Sequence, residues 1–218
     1  MAFLLEIVAR IQALCGPGFP ISVRLSVDEF QEGGLKIEDS VKIAQTLEKQ
    51  GVAAINVSAG VQETGYAIIE PQSFPEGWKK HLATEIKKHV SIPVIANGDV
   101  FSAEDCLRIL QFTGADMAMI GRGCFGNPWL FQQCAAALEG NPIPPLPPLS
   151  ERCDLAVRQI ELTREDKGER VAILEARRHY AWYLKGVPHA NYYKDQIVRM
   201  NTMEDVYRVT AGIKRDLK

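Results

Sequence analysis

Long apolar runs are missing from this chain. No stretch reaches the roughly 18 consecutive apolar residues that a membrane-spanning helix needs, so no span is expected. The opening AFLLEIVARIQAL is broken by Glu6 and Arg10 and has no basic start, so it is not expected to serve as a secretory leader. Metal-type cysteine spacing is missing too. Cys15, Cys106, Cys124, Cys134 and Cys153 form no CxxC pair, and an odd count without a framework fits a reducing, cytoplasmic setting. A strong charge of one sign is also lacking. The formal net charge is −2, which gives no general polyanion signal. Its distribution is uneven. Residues 151–218 hold 14 Lys and Arg against 11 Asp and Glu, a net of +3, while the rest holds 11 against 16, a net of −5. A basic tail on an acidic body suits nucleic acid at the tail, and equally suits ordinary solvated helix faces.

What is present is concentrated in residues 92–131, IPVIANGDVFSAEDCLRILQFTGADMAMIGRGCFGNPWLF. Two short apolar runs, Ile92–Ala96 and Ala118–Ile120, each lead into a glycine-bearing loop, Asn97–Asp99 and Gly121–Gly123. Between them Ser102–Phe112 has helical periodicity, with Ser102 as cap and Asp105 three residues on. Strand, glycine loop, helix, strand, glycine loop, helix is the pattern of the last two units of a (β/α)8 barrel. There such loops bind phosphate through backbone N–H groups. Glycine permits close approach of backbone to an anion, and Arg122 adds a planar cationic donor fork.

Around this stretch the reading is coarser. Residues 2–14 form an amphipathic helix with Phe3, Leu4, Ile7, Val8, Ile11 and Leu14 on one face. It begins without a cap, as if cut inside a longer parent. Ile21–Leu25 and Ala53–Val57 read as strands, Ile37–Gln50 and Trp78–Val90 as helices, and residues 61–77 as a long loop. Strands of the Ile21–Leu25 and Pro93–Asn97 type are expected to be apolar on both faces, as in a parallel sheet covered on both sides. Asn141–Leu149 carries five prolines in nine residues and reads as a semi-rigid spacer. Ser150–Arg164, Glu169–Leu184, Asn191–Met200 and Thr202–Asp216 read as helices. The expected domains are a half-barrel over 1–140, a linker over 141–149 and a helical domain over 150–218. A complete barrel needs about 250 residues, so the fold class is α/β: the C-terminal half of a TIM (β/α)8 barrel, with four parallel strands, followed by a small all-α domain.

The motifs IPVIANGDV, TGADMAMIGRG, GNPWLF and ARRHYAWYLKG resemble the tRNA-dihydrouridine synthases, over about residues 92–218. SVRLSVDEF, EGGLKIED, TLEKQGVAAINVSAG and LATEIKKHVSIPVI, over about residues 1–95, resemble the ene-reductase side of the flavin barrels, the old-yellow-enzyme relatives. The chain reads as a hybrid of the two, natural or engineered. The resemblance implies an FMN-dependent oxidoreductase, with NADPH or NADH as reductant and uridine in tRNA as substrate. It implies that Asn97, Gly98, Asp99, Gly121, Arg122 and Gly123 hold the FMN phosphate. By the same resemblance Arg24 contacts the flavin pyrimidine edge, and Ser58 and Gly60 stand where the synthases carry a VHGR-like loop. In the helical tail Arg177, Arg178 and Lys185 are candidates for tRNA contact, with Tyr180 and Trp182 as core.

Two departures limit the function. The cysteine acid of the synthases sits in an NxGCP-like motif that is absent here. Cys124, in GRGCFG, reads as a small buried residue, and His81 and His89 as solvated. Reduction of tRNA uridine is therefore expected to be weak in this chain alone. A catalytically silent half-barrel that keeps phosphate binding is the alternative, and an ene reductase a further one. Four strands cannot close a barrel of eight, so a homodimer completing the sheet is expected.

Overall fold

A computed structural model describes residues 1–65, 77 and 79–217. Most of the long loop read over 61–77, and Trp78, lie outside the described residues. The chain divides into two compact units, Met1–Gly121 and Arg122–Lys218. Among the described residues no helix is long and apolar enough to cross a membrane, and no cluster of His, Cys, Asp and Glu could hold a metal.

In the first unit the elements are α1 (Ala2–Cys15), β1 (Ser22–Ser26), α2 (Ile37–Lys49), β2 (Ala54–Ser58), α3 (Lys80–His89), β3 (Val94–Asn97), α4 (Ala103–Thr113) and β4 (Met117–Met119). The four strands form one parallel sheet in the order β1-β2-β3-β4. Sequential order with a helix between successive strands is the β/α repeat of a barrel wall. Local chemistry sets the ends of α4: the Ser102 hydroxyl accepts from the Asp105 N–H at 3.1 Å, and Gly114 closes the helix at φ 66°.

One expectation about the strands is corrected. Side chains alternate along a strand, so each strand divides its residues between two faces. Val23, Leu25, Ile55, Val57, Val94 and Ala96 are buried, as are Ala44 and Leu47 of α2, Leu82 and Ile86 of α3, and Cys106 and Ile109 of α4. The other face is polar and partly open. It carries Ser22, Arg24 and Ser26 on β1, Ala54, Asn56 and Ser58 on β2, Ile95 and Asn97 on β3, and Met117 and Met119 on β4, so its polar groups are interrupted by Ile95 and the two methionines. The expectation therefore fails for β1, whose second face is Ser22, Arg24 and Ser26, while β3 and β4 keep the apolar Ile95, Met117 and Met119 on that face. The α1 stripe also differs from a packed helix face. Of its six apolar residues only Val8 is buried, while Phe3 is 79% and Leu14 87% exposed.

The second unit holds α5 (Leu130–Leu138), α6 (Leu149–Lys167), α7 (Glu169–Tyr183), α8 (Asn191–Val198) and α9 (Met203–Asp216). Its core gathers Cys153, Ile160, Ile173, Tyr180, Leu184, Ile197, Met200, Val206 and Ile213. The buried Tyr180 hydroxyl meets that of Thr210 at 2.6 Å, so the ring fills the core while its polar tip stays satisfied.

Candidate functional site

The polar face of the sheet is a connected network. The β1–β2 register sets Arg24 opposite Asn56 and Ser26 opposite Ser58, and the β3–β4 register sets Asn97 opposite Met119. Arg24 Nη2 donates to Ser58 Oγ at 3.1 Å, and its Nη1 donates to Met119 Sδ at 3.3 Å. Asn56 Nδ2 donates to the same sulfur at 3.3 Å. The Asn97 amide donates to Asn56 Oδ1 and to the Val57 carbonyl. Ser26 Oγ donates to the Gly60 carbonyl at 2.9 Å, and the Gly60 N–H donates to the Asp28 carbonyl at 2.8 Å, which fixes the loop after β2 against the end of β1.

The contact between Arg24 and Met119 has a geometric consequence. Their strands are the two edges of the sheet, about 14 Å apart if the sheet were flat. The side chains meet because both lean inward over a concave surface, the curvature a barrel interior requires.

The glycine loops lie at the C-terminal ends of β3 and β4. Gly98 has φ 121° and Asp99 φ 51°, so two successive residues leave the ordinary right-handed backbone. A positive φ on a non-glycine residue such as Asp99 is uncommon and concentrates at ligand-binding turns. A Cβ built on Gly98 or on Gly121 meets nothing within 4 Å. Both glycines thus leave open space beside the backbone, as several exposed loop glycines elsewhere in the chain also do. Arg122 and Gly123 open the second unit in a short 3₁₀ turn, Arg122–Cys124, with Arg122 exposed. Cys124 is half-buried, a correction to its reading as a buried residue. His81 and His89 are exposed, and His89 Nε2 lies 3.0 Å from Glu85.

In the helical unit the basic residues divide. The half-buried Arg177 donates from Nε to the Met200 carbonyl at 2.9 Å and from Nη2 to Asn201 Oδ1 at 2.8 Å, tying α7 to the α8–α9 connection. Arg178 and Lys185 are exposed, and Lys185 Nζ stands 5.9 Å from the centroid of the Trp182 ring. Trp182 is 39% exposed and packs edge-on against Phe125, so it is not a core residue, whereas Tyr180 is. His179 also meets the Phe125 ring edge-on, and Tyr183 is buried with its hydroxyl donated to Gln159 at 2.9 Å. Burial pushes the Tyr183 phenol pKa up, with the neighbouring Cys124 adding to the shift.

Sequence reading missed Asn56 and Met119. Asn56 left a signal: it is a polar residue in the middle of a strand, at the position that Arg24 occupies in β1. Met119 left none, since a methionine in an apolar run is ordinarily core.

Comparison with known proteins agrees with this geometry. Among solved structures, a 2-naphthoyl-CoA reductase complex is similar at TM-score 0.56 and 24% identity, covering 65% of this chain and 21% of that one. A histamine dehydrogenase from Rhizobium sp. 4-9 is similar at TM-score 0.53 and 22% identity, covering 63% and 19%. These likenesses show the fold, a segment of a (β/α)8 barrel. Among curated proteins, an NADH oxidase of Thermoanaerobacter brockii is 44% identical over 59% of this chain and 20% of its own length. A probable tRNA-dihydrouridine synthase of Mycobacterium tuberculosis is 32% identical over 92% of this chain and 49% of its own. The chain thus spans about half the length of that synthase. The family model described as dihydrouridine synthase (Dus) matches residues 3–216. It takes in the ene-reductase-like segment as well as the helical unit, and on that extent the chain belongs to the dihydrouridine synthase family.

Proposed function

We propose that this chain forms the phosphate-binding half of an FMN-dependent tRNA-dihydrouridine synthase. The observation that carries the reading is the concave polar face, where Arg24, Asn56, Ser58 and Asn97 converge beside two open glycine loops. The N–H groups of Asn97–Asp99 and Gly121–Gly123 would hold the FMN phosphate, with Arg122 adding charge. Arg24 would face the pyrimidine edge, where a cation stabilises the negative charge that reduction places there. Bound FMN, once reduced by NADPH or NADH, would supply the hydride for the uracil ring of a tRNA uridine. Arg178 and Lys185 are exposed and suited to tRNA phosphates, while Arg177 serves them by holding α7 in place. Among the described residues the outer edges of β1 and β4 are unpaired and the apolar stripe of α1 is largely exposed, which favours a second copy of this chain as the partner that closes the sheet.

Turnover by the chain alone is expected to be weak. A general acid contributes about 10²–10⁴-fold, and the NxGCP-like motif that supplies it in the family is absent. The test is a titration of the purified chain with FMN, followed by flavin fluorescence, together with tRNA binding. Saturable binding of both is expected. Loss of FMN binding alone would leave a tRNA-binding protein without redox chemistry, and loss of both would remove the reading.

A further inference from the structure

Two donors on neighbouring strands share one poor acceptor. Arg24 Nη1 and Asn56 Nδ2 both point at Met119 Sδ, each at 3.3 Å. A thioether sulfur is a weak hydrogen-bond acceptor, and two nitrogen donors converging on it are only partly satisfied. The convergence is fixed by the sheet, because Arg24 and Asn56 are register partners and the second Arg24 donor, Nη2, is anchored on Ser58. Asn56 is anchored as well, its Oδ1 accepting from the Asn97 amide. Met119 is the free member of the trio. It is 39% exposed, on an edge strand, with an unbranched side chain that changes rotamer at little cost.

We infer that Met119 is a placeholder, its sulfur standing where a carbonyl oxygen of the bound ligand sits, and that Asn56 contacts that ligand alongside Arg24. This rests on the flavin reading above and deepens it. A carbonyl oxygen offers two strong lone pairs, one to each nitrogen, so the two donors together read a ring carbonyl. The sulfur keeps both donors partly satisfied in the free protein and swings aside on binding. Asn56 then has two tasks on two atoms. Its Nδ2 addresses the ring carbonyl, and its Oδ1 steadies Asn97 at the root of the phosphate loop.

The experiment uses the full chain and two probes, FMN and riboflavin, which share the ring and differ in the phosphate. Met119→Leu keeps the bulk and removes the competing acceptor. It is expected to bind both flavins about threefold or more tightly than the wild-type chain, the effect of roughly one neutral hydrogen bond. Asn56→Ala leaves the Asn97 amide bonded to the Val57 carbonyl and is expected to weaken both flavins by about tenfold. Unchanged or weaker flavin binding by Met119→Leu overturns the placeholder. A loss in Asn56→Ala that affects FMN and spares riboflavin assigns Asn56 to the phosphate loop and overturns its ring contact. A wild-type chain that binds neither flavin overturns the flavin reading itself, and this inference with it.

Discussion

Two glycines show how much a single hydrogen atom in place of a side chain can decide. At Gly121 a Cβ would meet nothing within 4 Å. Gly121→Val is therefore expected to abolish FMN binding while the helical unit keeps its circular dichroism, because the added methyls would occupy the side on which the proposed phosphate approaches the backbone. Unchanged FMN affinity in that variant would remove the phosphate assignment. Gly126 is the opposite case. Its φ is 67°, and a Cβ there would overlap the backbone of Trp182 and Tyr183. Neither backbone can yield cheaply, so Gly126→Ala should destabilise the helical unit by about 1–3 kcal/mol in urea unfolding. A midpoint equal to the wild type would show that the loop moves freely against α7.

Helix ends carry the pH dependence. The Thr202 hydroxyl accepts from the Asp205 N–H, and the Asp205 carboxylate accepts in return from the Thr202 N–H, a reciprocal box that starts α9. The Arg208 side chain and the Asn201 N–H also bond this carboxylate and hold its pKa at about 2, below the ordinary 3.8. A pKa depressed by folding stabilises the fold above the unfolded value and loses that contribution as pH falls through the folded one. Protection from hydrogen exchange at the start of α9, taken relative to the intrinsic rate at each pH, is thus expected to fall as pH drops from about 4 to about 2, a step that Asp205→Asn lacks. Parallel behaviour in both chains would assign the change to other groups. These caps were legible in the sequence, Ser102 with Asp105 and Thr202 at the start of the last helix, because capping is a short-range pattern. The four strands and the helices of both units were legible for the same reason. The Arg24–Asn56–Met119 cluster was not. It depends on register between strands distant in the chain, and periodicity gives each strand's alternation without saying which residue faces which. Trp182 was misread because a helical aromatic looks like core until the packing of Phe125 and Lys185 against it is known.

At the scale of the whole molecule, the sheet ends at β1 and β4 with nothing paired beyond them among the described residues. The proposed second copy would contribute four more strands and cover the apolar stripe of α1. Light scattering at micromolar concentration should therefore report about twice the chain mass, 24.2 kDa for one copy. A stable single-chain mass would exclude closure by self-association. The polar inner face bears on how such a closure proceeds. Arg24 is bonded to Ser58 and Asn97 to Asn56, and the apolar side of the sheet is already covered by α2, α3 and α4. The first unit can therefore acquire its native shape before any companion arrives. Joining is then an encounter between finished surfaces, second order in protein, and refolding should separate into a fast concentration-independent phase and a slower one that scales with dilution. A wall that folds unaided would also accept a different companion, so a four-stranded segment of this kind would not be tied to a single partner.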